Sequence, residues 1–171
     1  RGDGDEGEIV THNARAISGI PAHIQYPGRL VVTGEAFIRP RDFERLNTSI
    51  VDENGETYKN GRNLAAGSVR LRDAGECMER CVTFMPFNVL EGFDDLPRKS
   101  ERLKEIRPLG VTPCKYLVTK RPLTQAETED GIKQLQQYAR DKDIPIDGIV
   151  VTYNDVAFAK SCGRTGHHYK D

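Results

Sequence analysis

The stretch RLVVTGEAFI, residues 29–38, predicts a strand, and the prediction of the whole fold starts from it. Its β-branched and apolar residues are typical of a strand, and Gly34 interrupts them. A glycine inside a strand often marks a bulge, or a close approach of a ligand to the backbone. A second run of the same kind, CVTFMPFNVL at residues 81–90, predicts another strand.

Helical patterns flank these two strands. The best-marked helix begins at Thr124, because Thr124 and Glu127 form a capping-box pattern ahead of apolar residues at helical spacing. A last strand is predicted in IDGIVVTYND, residues 146–155. Strands and helices do not alternate regularly, so the pattern favours an α+β fold of antiparallel sheets with peripheral helices. The helices are predicted at residues 39–55, in 60–73 after a loop that ends at Asn63, and at 96–110 and 124–143.

Composition describes a polar globular domain. The chain has 171 residues, of which 37% are hydrophobic and 30% charged, with a net charge of −1. This charge neither supports nor excludes a nucleic-acid partner, because binding depends on local basic surface. No apolar run approaches the roughly 18 residues of a membrane span, so no membrane partner is expected. The four cysteines fit no zinc spacing and are predicted to be reduced thiols of a cytosolic protein, with no metal site.

Four motifs follow one another along the chain in a distinctive order. They are RGDGDEGEIVTHNARAISGIP (1–21), VTGEAFI (32–38), NGRNLAAGSVR (60–70) and IDGIVV (146–151). In this order and spacing they resemble the adenylation domain of bacterial NAD-dependent DNA ligases, over nearly the whole chain. The resemblance implies a nucleotidyltransferase-type fold, NAD and Mg²⁺ as cofactors, nicked duplex DNA as partner, and a cytoplasmic, monomeric parent enzyme.

The resemblance also implies a reaction in three steps. A lysine attacks the α-phosphorus of NAD and expels nicotinamide mononucleotide, AMP moves to the 5′-phosphate of a nick, and the 3′-hydroxyl then displaces AMP. In the family the nucleophile belongs to a K-x-D-G motif upstream of the RGDG loop, and no lysine of this chain lies in such a motif. We therefore expect residues 1–171 to be a partial adenylation domain. It would lack that motif and also the final lysine motif of the family. The fragment would therefore be inactive alone, although the parent protein would be an enzyme of DNA replication and repair.

Besides Arg1, which is described with the other arginines below, four residues are implied to bind the cofactor. The resemblance places Glu35 against the ribose hydroxyls, Val150 on one face of the adenine and Phe87 on the other. It adds Asp147, the aspartate of the D-G-x-V motif. An adenine between an aromatic ring and a branched aliphatic side chain is physically reasonable. Taken alone, Glu35 reads as a solvated strand residue, and Phe87 and Val150 read as ordinary core residues.

Three arginines match family positions that face phosphates. The resemblance assigns Arg1 to the cofactor, and Arg62 and Arg70 to the phosphates of the nucleotide or the nicked DNA. A guanidinium can bind phosphate oxygens in a bidentate fork, which suits these roles. Any one of them could instead be a surface charge. Such contacts would make DNA binding salt-dependent and largely independent of sequence.

Two departures from the family pattern leave alternatives open. Thr152 stands where the family usually carries a phosphate-binding lysine. Stabilisation of the phosphate would therefore be weaker at this point, or another residue would supply it. NGRN replaces the more usual N-P-R-N, which frees the backbone before Arg62. Thr152 is the best argument for a non-catalytic nucleotide- or DNA-binding paralogue. A third candidate, an RNA ligase or capping enzyme, fits the RGDG and NGRNLAAGS stretches poorly.

Overall fold

A computed structural model of the chain describes residues 7–52, 54–165 and 168–169. This part of the chain mixes helices with antiparallel strands, so the predicted combination is confirmed at that level. The nucleotidyltransferase type of the fold stays a prediction. In chain order the elements are a 3₁₀ helix Thr11–Ala16, β1 Val31–Phe37, α1 Pro40–Leu46, α2 Gly61–Ser68, α3 Ala74–Glu79, β2 Thr83–Glu91, α4 Lys99–Glu105, α5 Gln125–Asp141, α6 Val156–Ser161, β3 Arg164–Thr165 and β4 His168–Tyr169.

The central feature is the antiparallel pair of β1 and β2. Phe37 faces Thr83 at one end, and the pairing continues along the whole of β1. The register shifts twice, so Phe87 and Leu90 are each an extra residue in β2. Such bulges bend a strand and re-aim its side chains, and they are common next to functional sites. A second, two-stranded antiparallel sheet joins β3 and β4.

Gly34 lies at one of these bulges, as the sequence predicted for a glycine within a strand. A Cβ atom at this position would lie 2.4 Å from the backbone oxygen of Met85 and 2.7 Å from the Cα atom of Pro86. The close approach is therefore made by the neighbouring strand. The absence of a side chain at Gly34 allows β1 and β2 to come together.

Two hydrophobic clusters form at opposite ends of the strand pair. At the Phe37 end, helices α1 to α3 and the 3₁₀ helix cover the strands. At the other end, α4 packs against β2. The central part of the pair, where Glu35 lies, falls between the clusters. The first cluster contains Ala16, Ile17, Ile38, Leu46, Leu64, Ala65, Cys77 and Val82. The second contains Val89, Leu103, Ile106 and Val111.

Two predicted elements differ in the structure. The helix predicted over residues 39–55 ends at Leu46, because the Asn47 side chain bonds both backbone groups of Tyr58, at 3.1 and 3.0 Å. An asparagine that bonds a distant backbone in this way competes with helix continuation. The strand predicted over 146–155 is wrong: the segment has no regular secondary structure apart from one bridge, between Arg98 and Asp155.

Other helix boundaries follow from capping. The N-cap of α2 is Asn60, whose side chain accepts a hydrogen bond from the backbone of Asn63, so the predicted entry at Asn63 is wrong by three residues. The capping box of Thr124 and Glu127 at the start of α5 is confirmed. The 3₁₀ helix, α3 and α6 were not predicted, because each has only six residues and carries little periodic signal.

All four cysteines are free. Burial raises the pKa of the Cys77 and Cys114 thiols, which keeps them protonated near neutral pH. None of the helices in the part of the chain that the structure describes has the length and apolarity needed to cross a membrane.

The contact at Gly34 gives a stability prediction. We expect Gly34→Ala to lower the free energy of unfolding by roughly 1–3 kcal/mol, because the new methyl group meets backbone atoms that cannot rotate away. Gly148→Ala is the matched control, since no atom lies within 4 Å of a Cβ at that position. Urea unfolding of both variants measures the difference, and equal stabilities would contradict the prediction.

The capping box gives a pH prediction. Arg121 first, and then the backbone and hydroxyl of Thr124, lower the pKa of Glu127 to about 2. A carboxylate with a lowered pKa stabilises the fold above its unfolded pKa, and this contribution is lost as the pH falls towards about 2. Glu127→Gln should therefore lower the melting temperature at pH 7, and the gap to wild type should narrow between pH 5 and pH 3.

Glu129→Gln, on the same helix, is the control for loss of a surface charge. Its gap to wild type should stay smaller than that of Glu127→Gln at pH 7. A gap for Glu127→Gln that is constant across this pH range would contradict the assigned pKa shift.

Candidate nucleotide- and phosphate-binding site

Glu35 lies in the middle of β1, on the stretch between the two hydrophobic clusters. It pairs across the ladder with Met85, so the side chains of these two residues leave the sheet on the same face. The Glu35 carboxylate is exposed and meets one partner, Arg62, whose Nε atom lies 3.6 Å from Oε1. The alternative of a solvated strand residue is thus correct for its exposure, but the carboxylate is also paired with a guanidinium.

Arg62 joins two of the predicted site residues. Its Nη1 atom lies 3.5 Å from Oδ2 of Asp147, while its Nε faces Glu35. Arg62 sits in the first turn of α2, where Asn60 caps the helix and fixes the direction of the chain. Three residues from three different motifs therefore come together in space.

The pairs around Arg62 are open to solvent. The Asp147 side chain is 93% exposed, and both Arg62 and Glu35 are also exposed. Water screens such pairs, and they contribute at most about 1 kcal/mol each to stability. The guanidinium can therefore exchange a carboxylate for another anion, such as a phosphate, at small cost.

Phe87 and Val150 are apolar side chains that the fold leaves uncovered. Phe87 is the extra residue at a β2 bulge and is 49% exposed. Val150, three residues after Asp147, is 83% exposed. The interpretation of both as ordinary core residues is therefore wrong. Exposed apolar side chains of this kind are common in binding sites for a ligand with a flat apolar part.

Arg70 belongs to a different group of side chains. It lies just beyond the C-terminal end of α2, whereas Arg62 lies at the N-terminal end. Its Nε atom pairs with Glu8 of the glycine-rich segment. Arg62 and Arg70 thus have different acidic partners. Arg1, the remaining predicted arginine, lies outside the described residues.

Asn13 was missed by the sequence reasoning, although it fixes the backbone around Arg70. Asn13 is fully buried, and its Nδ2 atom donates to the backbone oxygens of Val69 at 3.0 Å and Leu71 at 2.6 Å. His12 also contacts the Leu71 oxygen, at 2.9 Å. The signal available in the sequence was a polar T-H-N run at residues 11–13, shortly before the apolar Ala16 and Ile17, which indicates an ordered turn.

Lys99 was also missed. Its Nζ atom donates a hydrogen bond of 2.9 Å to the hydroxyl of Thr152, the residue that departs from the family pattern. No local signal in the sequence connects these two residues, because they lie 53 positions apart. The structure therefore places a cation beside Thr152 from another part of the chain.

The described residues include no cluster for a metal ion. Within residues 7–52, 54–165 and 168–169, no group of three or more His, Cys, Asp or Glu side chains is arranged to hold one. Glu35 and Asp147 are instead joined through the Arg62 guanidinium. The arrangement is suited to binding an anion and an exposed ring.

Comparison with known proteins agrees with the four motifs. Residues 1–170 match the family described as the NAD-dependent DNA ligase adenylation domain, and the chain belongs to this family. A DNA ligase of Ruminiclostridium cellulolyticum is 35% identical over 171 residues, which is 100% of this chain and 26% of that protein. DNA ligases of Lachnoclostridium phytofermentans and Campylobacter concisus are 34% and 37% identical, over 96% of this chain and 25% of each relative. The chain thus spans about a quarter of the length of these relatives.

The contrast between Arg62 and Asn13 gives a prediction on stability. Arg62→Gln should change the free energy of unfolding by less than about 1 kcal/mol, because its ion pairs are exposed. Asn13→Ala should lower it by roughly 2 kcal/mol or more, because two backbone oxygens lose a buried donor. Denaturant unfolding of the two variants measures both values. A larger loss for Arg62→Gln than for Asn13→Ala would contradict this division between binding and structural residues.

Proposed function

We propose that this chain is part of the adenylation domain of an NAD-dependent DNA ligase that seals nicks in duplex DNA during replication and repair. The reaction would proceed through a lysyl-AMP intermediate and a DNA-adenylate. The observation that carries the proposal is the meeting of Glu35, Arg62 and Asp147. These residues come from three of the four family motifs, and a carboxylate oxygen of Glu35 and one of Asp147 each lie within 3.6 Å of the Arg62 guanidinium.

NAD fits the side chains of the site as the donor of the AMP group. The exposed Phe87 ring and the exposed Val150 offer apolar surface for an adenine, and burial of both on binding would be favourable. The Glu35 carboxylate is solvent-accessible, so it can accept hydrogen bonds from ribose hydroxyls. Asp147 would hold Arg62 in place on the opposite side of the guanidinium.

The two described arginines would bind phosphate. Each already holds a carboxylate in an exposed pair, which a phosphate oxygen can replace. Because Arg62 and Arg70 lie at opposite ends of α2, they would contact different phosphates. Contacts of this kind make affinity for DNA fall with salt and depend little on sequence.

Magnesium is assigned no ligands in this chain. Mg²⁺ is usually bound by one or two carboxylates together with substrate phosphates and water. Glu35 and Asp147 already share a guanidinium, and the described residues include no group of three ligands. The described residues therefore do not form a metal site of their own, and a Mg²⁺ ion would need substrate phosphates among its ligands.

The nucleophile would come from outside these 171 residues. The sequence holds no K-x-D-G motif, so we propose that another part of the complete ligase supplies the lysine that accepts AMP. Residues 1–171 would then form the walls of the nucleotide site and would not form an adduct alone. We place the complete enzyme in the cytoplasm, acting as a monomer on DNA.

One observation favours a second candidate function. Thr152 carries no charge, and a site with weakened phosphate binding could serve a non-catalytic paralogue that binds nucleotide or DNA. The ammonium of Lys99 beside Thr152 argues for the ligase, since it restores a positive charge at this place.

A test of the ligase proposal measures adduct formation by the complete protein. Incubation with NAD and Mg²⁺ should add the mass of AMP to a lysine and release nicotinamide mononucleotide. Glu35→Ala should slow the adduct by roughly tenfold or more, because a charged hydrogen-bond acceptor is lost. Glu44→Ala, which removes an exposed glutamate of α1, is the control and should leave the rate unchanged. Mass spectrometry and release of labelled nicotinamide mononucleotide give the rates.

The two candidate functions give different results in this assay. A complete protein that binds AMP but forms no adduct would support the non-catalytic paralogue. A protein that forms the adduct with ATP in place of NAD would contradict the dependence on NAD.

A further inference from the structure

Lys99 is an ammonium whose charge is not neutralised by a carboxylate in the described structure. Its Nζ atom donates to the neutral hydroxyl of Thr152 at 2.9 Å. None of the ion pairs found in residues 7–52, 54–165 and 168–169 includes it. A lysine ammonium has three donors and no acceptor, so two donors remain for a ligand.

Hydrogen bonds between two segments of the chain fix the position of the Lys99 backbone. The Lys99 N–H donates to the backbone oxygen of Asn154 at 2.7 Å, and the Ser100 N–H donates to the Asn154 side chain at 2.9 Å. A third bond joins the Val156 N–H to the Pro97 oxygen at 2.9 Å. The start of α4 is therefore held against residues 154–156. Lys99 is also half-buried, which restricts its long side chain.

The position of this cation matters because of the residues that precede Thr152. Val150, two residues earlier, is the exposed side chain that we place against the adenine, and Asp147 contacts Arg62. The Cα atoms of Val150 and Thr152 are at most roughly 7 Å apart. The ammonium lies 2.9 Å from the Thr152 hydroxyl, so it is within reach of a nucleotide whose adenine contacts Val150. A nucleotide bound there would bring its phosphate into the same neighbourhood, where a free ammonium would attract it.

We propose that Lys99 binds the phosphate of the nucleotide, and that it replaces the lysine that the family pattern places at position 152. Thr152 then acts as a positioning residue that holds the ammonium through its hydroxyl. This inference rests on the proposed function, because it assigns a residue to the phosphate of the same nucleotide site. The positive charge would then lie at the same place in the site, although residue 99 supplies it and not residue 152.

Binding of AMP and adenosine by the complete protein tests the phosphate contact directly. Lys99→Met should weaken AMP binding by roughly tenfold, the loss typical of one hydrogen bond to a charged group, and should leave adenosine binding unchanged. Lys104→Met is the matched control, because Lys104 is an exposed lysine of the same helix. Titration calorimetry measures both ligands, and melting temperatures show whether each variant is folded.

A relocation variant separates a phosphate contact from a structural hydrogen bond. In Lys99→Met with Thr152→Lys, the charge moves to the position of the family pattern, and methionine cannot rebuild the bond between the two side chains. The double variant should recover AMP binding and the rate of adduct formation with NAD to within a few-fold of wild type. A purely structural role for Lys99 predicts that the double variant stays as weak as Lys99→Met.

The outcomes separate this inference from the proposed function. If the wild-type protein forms the adduct and Lys99→Met binds AMP as tightly as wild type, the inference is overturned while the ligase proposal stands. If Lys99→Met weakens AMP and adenosine equally, the contact is not to phosphate and the inference is again overturned. If the wild-type protein neither binds AMP nor forms the adduct, both are overturned.

Discussion

The rest of the structure depends on the close contact between β1 and β2. Gly34 allows this contact, because any side chain there would collide with the backbone of Met85 and Pro86. The strand pair then gives two hydrophobic clusters a place to form, one at each end. Ala36 packs against the first cluster, and the neighbouring Glu35 side chain leaves the opposite face of the strand, so it stays exposed to solvent. The same contact that stabilises the fold therefore leaves a polar surface open for binding.

The proposed binding residues and the structural residues are separate groups in this chain. The ion pairs of Arg62 are exposed, so they add little to stability and can be exchanged for a ligand. Asn13 is buried and bonds two backbone oxygens near Arg70, so its role is to fix the chain. This separation allows the site to change its anionic partner while the core stays intact. The proposed site residues are exposed, so hydrophobic patterns in the sequence do not point to them. The family motifs do.

The contact of Lys99 with Thr152 shows how a positive charge can stay beside position 152 although the residue at that position is not a lysine. A phosphate responds to the position of a cation in space, whatever residue of the chain supplies it. Residues 97–100 and 154–156 are joined by backbone bonds, which bring an amine from α4 to the place where the family pattern expects one. A motif comparison reads Thr152 as a loss. The tertiary structure adds the ammonium that the comparison omits.

The sequence by itself determined β1, β2, α4, α5 and the membership of the family. The content of β-branched and apolar residues, helical periodicity and the capping box of Thr124 depend on neighbours within a few residues, so local patterns predicted these elements. Tertiary structure decided where α1 ends and why residues 146–155 are irregular. It also decided which distant polar side chains meet. Arg62 and Asp147 lie 85 residues apart, and Lys99 and Thr152 lie 53 apart. Such pairs form only when the packing of β1, β2 and α4 brings distant segments together, and no local pattern encodes that contact.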